Sequence, residues 1–255
     1  MDILPKTPSG DLNGKSALIA GASSGIGLGA AAALARAGAQ VTLAARSIAK
    51  LEAIAALIRS EGGQASILEM DATNIEATAQ AVATAGPFDI LVNSAGTARH
   101  SAAVDTKLDD FDAVMALNLR GAYFLTQAVA KGMIAAGKGG SLINISSQMA
   151  HVGGVDRAVY CASKFAVEGF TKAMAVELGP LSIRVNTICP TFIVTPLTKP
   201  TFDDPEKREW IQSKIKLGRV GEIGDIMGAV LYLASDLSAL VTGSSMMVDG
   251  GWTAD

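Results

Sequence analysis

Tyr160 and Lys164, in the run "YCASK", stand four residues apart. On a helix that spacing sets both side chains on one face, one turn apart. A plain surface pair of this kind would lend the helix slight support and nothing more. A phenol beside an ammonium can do chemistry: the cation stabilises the phenolate, so a group whose free pKa is ~10 can exchange a proton nearer neutrality. A second stretch, "AGASSGIGLGAAAALARAG", puts Gly21, Gly25 and Gly27 at a turn from strand to helix. Glycines there let the backbone approach a pyrophosphate, while the helix N-terminus supplies free N–H donors and a positive dipole end.

The elements that must position these residues follow a regular alternation. Apolar runs of strand character lie at 16–20, 41–45, 65–70, 89–93, 141–146, 183–188 and 246–249. Alanine-rich helical patterns separate them, starting near Gly25, over 48–60, over a long stretch between 108 and 136, and over 158–179. Repeated βαβ units of this kind predict an α/β fold: a doubly wound, seven-stranded parallel sheet with helices on both faces. A length of 255 residues suits a single domain spanning 1–255. The polar segment 195–216 breaks the rhythm with Pro196, Pro200 and Pro205, and is expected to be an irregular connection serving as a substrate lid.

Composition excludes several functions. A net charge of −3 without a basic stripe gives no basis for a nucleic-acid partner. The start "MDILPKTPSGDLNGK" lacks the basic and apolar regions of a signal peptide, and no segment approaches a membrane span, so a soluble cytoplasmic protein with no membrane partner is expected. Cys161 and Cys189, with His100 and His151, show no metal-ligand spacing along the chain, and neither a disulfide nor a metal is expected.

The turn's GxxxGxG spacing resembles that of the short-chain dehydrogenase/reductase family, and the resemblance runs from Gly14 to Trp252. "NSAG" (93–96) is similar to the family's NNAG, Asn118 in "ALNLRG" to its helix asparagine, and "YCASK" to its YxxxK, with Ser147 thirteen residues before Tyr160. The resemblance implies a Rossmann-type fold and an oxidoreductase acting on a CH–OH group. It makes Tyr160 the acid or base, Ser147 the residue that fixes the substrate oxygen, Lys164 the holder of the nicotinamide ribose, and Asn118 the anchor of a proton-relaying water. Cofactor contacts would come from Gly21, Ser23, Ser24, Gly25, Ile26 and Gly27 at the first turn, and from Asp71 and Ala72 after the third strand. Asn93, Ala95 and Gly96 follow the fourth strand, and Pro190, Ile193 and Thr195 the sixth. Two positions depart from the family pattern: Ala20 replaces a threonine, and Thr191 follows Pro190 where a glycine is usual.

At the end of the second strand an acidic residue would select NAD(H). Ala45, Arg46 and Ser47 stand there instead; a guanidinium and a hydroxyl suit a phosphate, which favours NADP(H) while leaving NAD(H) open. Arg99, Gln148, His151 and Thr191 are the substrate-side candidates, with His100 and Arg157 nearby. Such polar company points to a small carbonyl or secondary alcohol compound, such as a sugar acid or keto-sugar. The competing readings are a 3-oxoacyl-thioester reductase and a catalytically silent nucleotide sensor. Surplus apolar residues on helices 108–136 and 158–179 suggest a homotetramer, as the resemblance also implies.

Overall fold

The computed structural model describes residues 4–254; the first three residues of the N-terminal stretch discussed above lie outside the described residues. Strand β1 (Ser16–Ala20) is apolar after its first residue because it is covered on both sides. Leu18 and Ile19, adjacent in sequence, join different apolar clusters, one on each face of the sheet. Around β1 run β2 (Gln40–Ala45), β3 (Gln64–Glu69), β4 (Ile90–Asn93), β5 (Gly140–Ile145), β6 (Ile183–Pro190) and β7 (Ser245–Val248). Their order is β3-β2-β1-β4-β5-β6-β7, with every pairing parallel. The doubly wound, seven-stranded α/β fold expected from the alternation is the one observed.

On one face, α1 (Gly25–Arg36), α2 (Ile48–Ser60) and α9 (Ile223–Ala234) close over Ile19, Leu43 and Ile143 with Leu34, Leu51 and Val230. On the other, α3 (Ile75–Ala85), α5 (Ala122–Ala135) and α6 (Ala158–Leu178) cover Leu18, Leu91 and Leu142 with Val82, Leu125 and Met174. Each fully buried leucine of this kind stabilises the sheet sandwich by about 1.5–3 kcal/mol.

Two stretches differ from their sequence expectation. The helix expected between 108 and 136 is broken into α4 (Leu108–Met115) and α5 by a π-helical turn, Ala116–Gly121, centred on Asn118. Such turns insert an extra residue per turn and cluster at functional sites. Segment 195–216 is not irregular: it forms α7 (Lys199–Phe202) and α8 (Pro205–Lys214). Its prolines mislead as breakers because Pro200 and Pro205 sit at the first turns, where the missing N–H costs nothing, and Asp204 caps α8 by accepting from the N–H groups of Glu206 and Lys207.

Candidate active site

Sheet order reverses at β1, whose neighbours β2 and β4 lead in opposite directions, and ligands in such sheets bind beyond the strand carboxyl ends at that switch point. A cleft of about 750 Å³ lies there, lined by the turns after β1, β2, β3, β4, β5 and β6 and by the first two turns of α6. Gly21 has a φ of +76°, and a Cβ on it would come within 2.8 Å of the Ser94 carbonyl carbon. A Cβ on Gly27 would meet the Gly21 carbonyl oxygen, so the two glycines pack the turn against the β4 loop and against itself. Backbone bonds hold the turn: the N–H groups of Gly21 and Ala22 donate to the Ala44 carbonyl, and that of Ser94 to the Ala20 carbonyl. Ser24, at the N-cap of α1, makes no side-chain capping bond, so the first N–H groups of the helix remain for a ligand's oxygens. This cradle fits a dinucleotide pyrophosphate.

Arg46 and Ser47 line the far end of the cleft, and Ser47 makes no capping bond to α2. Lys50, one turn on, lines it too; sequence reasoning passed over it, although its i, i+4 spacing from Arg46 was legible. Opposite them, Asp71 accepts from the backbone N–H and the hydroxyl of Thr73, which hold its carboxyl below the usual range, with the Arg46 charge adding to the effect. Asp71 does not cap the following helix; Asn74 does. Ala72, Ala95, Gly96, Pro190, Ile193 and Thr195 also line the cleft, as do Ser23, Gly25 and Ile26.

Asn93 lies outside the lining. Its side chain donates to Asn144 and accepts from the Ala95 N–H, so it ties β4 to β5 and shapes the loop that follows. Asn118 is likewise buried behind the cleft. Its amide donates to the Thr97 carbonyl and to Ser163, and its Oδ1 accepts from the Thr97 N–H, which fastens the π turn to the β4 loop and to α6.

On α6, Tyr160 and Lys164 face the cleft together, with the ammonium 5.7 Å from the phenol ring centroid. Lys164 donates to the Ile145 carbonyl at 2.8 Å, and burial pulls its pKa down to about 8. Burial pushes Tyr160 up, while a hydrogen bond with Ser147 and the charge of Arg157 pull the other way. Ser147, two residues past β5, accepts from the Met149 N–H and hydrogen-bonds the Tyr160 phenol. A point one Cβ away from Gly96 lies 3.5 Å from Asn118 Oδ1 and 3.9 Å from Lys164 Nζ, so the glycine keeps a gap between the two.

The substrate-side residues divide. Thr191 lines the cleft, whereas Gln148, buried directly after Ser147, does not. Arg99 pairs with Asp110 at 2.8 Å on the surface and does not line it. His151 turns to Cys189, outside the lining. Arg157, half-buried, lies over the Phe192 ring and donates to His100 at 2.6 Å; burial and that guanidinium lower His100 to about 4, so the imidazole is a neutral acceptor.

Glycine cradle, switch-point cleft and a Ser–Tyr–Lys set at its floor define a nucleotide-dependent oxidoreductase site. A family model described as enoyl-(acyl carrier protein) reductase matches residues 21–253, and the chain belongs to this short-chain dehydrogenase/reductase family. It is 40% identical to D-erythrulose reductase of Gallus gallus (96% of this chain, 98% of that one) and 39% identical to L-xylulose reductase of Bos taurus (95% and 98%). The structure of a gluconate 5-dehydrogenase from Burkholderia cenocepacia, in complex with NADP and tartrate, superposes with a TM-score of 0.93 at 35% identity, covering 96% of this chain and 98% of that one. Among the described residues, no helix is long and apolar enough to cross a membrane.

Proposed function

We propose that the chain moves a hydride between NADP(H) and the ketone or secondary alcohol of a small polyhydroxylated substrate, a keto-sugar or sugar acid. One observation carries the substrate class. Ser146 and Thr191 bring hydroxyls to the cleft wall with Ser147 and Tyr160, and Thr191 Oγ1 is buried there without a hydrogen-bond partner. Buried polar groups left unpaired are costly, and a ligand bearing several hydroxyls would satisfy them. The relatives named above, reductases of erythrulose and xylulose and a dehydrogenase of gluconate, support this class.

The bound NADP(H) supplies the hydride in reduction and accepts it in oxidation. Arg46, Ser47 and Lys50 are suited to its extra phosphate, and Gly21 through Ile26 to its pyrophosphate. Ser147 donates to the substrate oxygen and fixes it; Tyr160 gives that oxygen its proton in reduction and takes it back in oxidation. Burial suits the first task, because it keeps the phenol protonated. Lys164 holds the ribose, and the gap at Gly96 between it and Asn118 suits a water that returns the proton. Segment 195–216 acts as the lid.

An acyl-thioester reductase would instead need an apolar channel, which the hydroxyls of Ser146, Ser147 and Thr191 on the cleft wall argue against. A silent sensor would not need the proton-transfer set. Exposed Phe111, Phe124, Phe165 and Val176 on α4, α5 and α6, with the unpaired edge of β7, support a homotetramer; elution as a monomer would refute the assembly. The substrate test follows NADPH consumption with erythrulose, xylulose and an acetoacetyl thioester, and NADP+ reduction with gluconate. Turnover of a polyol and not of the thioester is expected. Turnover of the thioester alone would sink the substrate class, and silence throughout would restore the sensor.

A further inference from the structure

Glu168 continues the line of Tyr160 and Lys164 one turn deeper on α6, yet the chemistry proposed above makes no use of it. It is buried, and among the described residues it has no ion-pair partner; the ammonium of Lys164 is committed to Ile145. Its Oε2 accepts from the hydroxyls of Thr187 on β6 and Ser245 on β7. Its Oε1 accepts from the Cys189 thiol at 3.4 Å, and the same sulfur lies 3.5 Å from Nε2 of His151. Imidazole nitrogen, thiol sulfur and carboxyl oxygen all fall within 4.8 Å of one another.

These separations have a physical meaning. Zn–N and Zn–O bonds of ~2.0–2.1 Å and a Zn–S bond of ~2.3 Å at tetrahedral angles put neighbouring ligand atoms ~3.3–3.6 Å apart. Two of the three contacts already have that length. The third closes by a movement of His151, which is exposed, follows the short turn Gln148–Ala150 and gives the site its way in from solvent. The hydroxyls on Oε2 orient the carboxyl as outer-sphere groups do at metal centres.

The geometry points to a zinc-type cation site held by His151 Nε2, Cys189 Sγ and Glu168 Oε1, with water as the fourth ligand. Binding is an exchange without redox change: the thiol loses its proton to solvent as the metal–sulfur bond forms, and His151 binds as the neutral ring. Because Cys189 precedes Pro190 of the cleft and His151 follows the turn after Ser147, an occupied site pins both walls and slows turnover.

Titration of the full-length protein with Co2+ tests this. One equivalent per chain should give a thiolate-to-cobalt charge-transfer band with the visible bands of a four-coordinate ion, and Zn2+ should erase both. Cys189→Ser should abolish the charge-transfer band while keeping metal-free turnover and cofactor binding; Cys161→Ser should leave the band intact. His151→Gln should weaken cobalt binding by about tenfold or more. No charge-transfer band at one equivalent, a band surviving Cys189→Ser, or one lost with Cys161→Ser would each overturn the site.

Discussion

The ammonium of Lys164 sits 5.7 Å from the centre of the Tyr160 ring but gives its hydrogen bond to the Ile145 carbonyl, so the two members of the YxxxK pair share a face without touching at their polar ends. Burial raises the phenol, and the Ser147 hydrogen bond and the Arg157 charge pull against it. Tyr160 and Lys164 should therefore separate in their effects. Tyr160→Phe should cut turnover by about 10²–10⁴-fold, the usual worth of a positioned acid, with NADPH affinity nearly unchanged. Lys164→Met should lower both. Stopped-flow turnover beside fluorescence titration of NADPH makes the comparison, and a Tyr160→Phe enzyme with retained turnover would remove the phenol from the reaction.

Cofactor choice rests on the corner where Arg46, Ser47 and Lys50 line the cleft across from Asp71. A charge-assisted hydrogen bond is worth about 1.5–3 kcal/mol. Arg46→Asp should thus weaken NADPH by about tenfold to a hundredfold and leave NADH the same or tighter, with Lys50→Ala a smaller step in the same direction. Kd values for both dinucleotides decide it; NADH bound more tightly than NADPH by the unaltered protein would refute the preference.

The parts of the molecule legible in the sequence are those set by local chemistry. Strand β1 and helix α2 begin and end where their apolar pattern does, and the glycine turn lies where a strand meets a helix. The π turn at Asn118 left no trace in a continuous apolar pattern, because it is stabilised by bonds to Thr97 and Ser163, distant in sequence. Arg99 and His151 looked like equivalent loop residues; only the fold ties one to Asp110 and brings the other to Cys189. The burial of the phenol is hidden for the same reason, since spacing reveals a neighbour on the helix but not what covers it.

His100 carries a pH signature. In the unfolded chain it takes a proton near its ordinary 6.5, whereas in the folded protein burial and then the Arg157 charge hold it to about 4. Between those values the unfolded state binds more protons, so this contribution to stability is full above 6.5 and is lost as pH falls through 4. Urea midpoints at pH 7 and pH 4.5 should drop more for the unaltered protein than for His100→Asn. By NMR the His100 titration should rise partway towards 6.5 in Arg157→Leu, because burial remains. An unaltered midpoint in that variant would show that the guanidinium plays no part.

Both tryptophans of the chain belong to the aromatic cluster under segment 195–216. Trp252 stacks on Phe192 at 5.8 Å and meets Trp210 of α8 edge-on at 5.5 Å, while Arg157 covers Phe192 from the side of Tyr160. Pro196, Leu197 and Thr198 from the same segment line the cleft, so a ligand that moves them also moves α8 against Trp252. If the segment is a lid, its closure must alter the packing of the two indoles. Adding substrate to the protein saturated with NADP+ should change tryptophan emission, and Trp210→Phe should remove most of that change with little effect on NADPH Kd. Emission unmoved by substrate while turnover proceeds would mean that the segment is a fixed wall of the site.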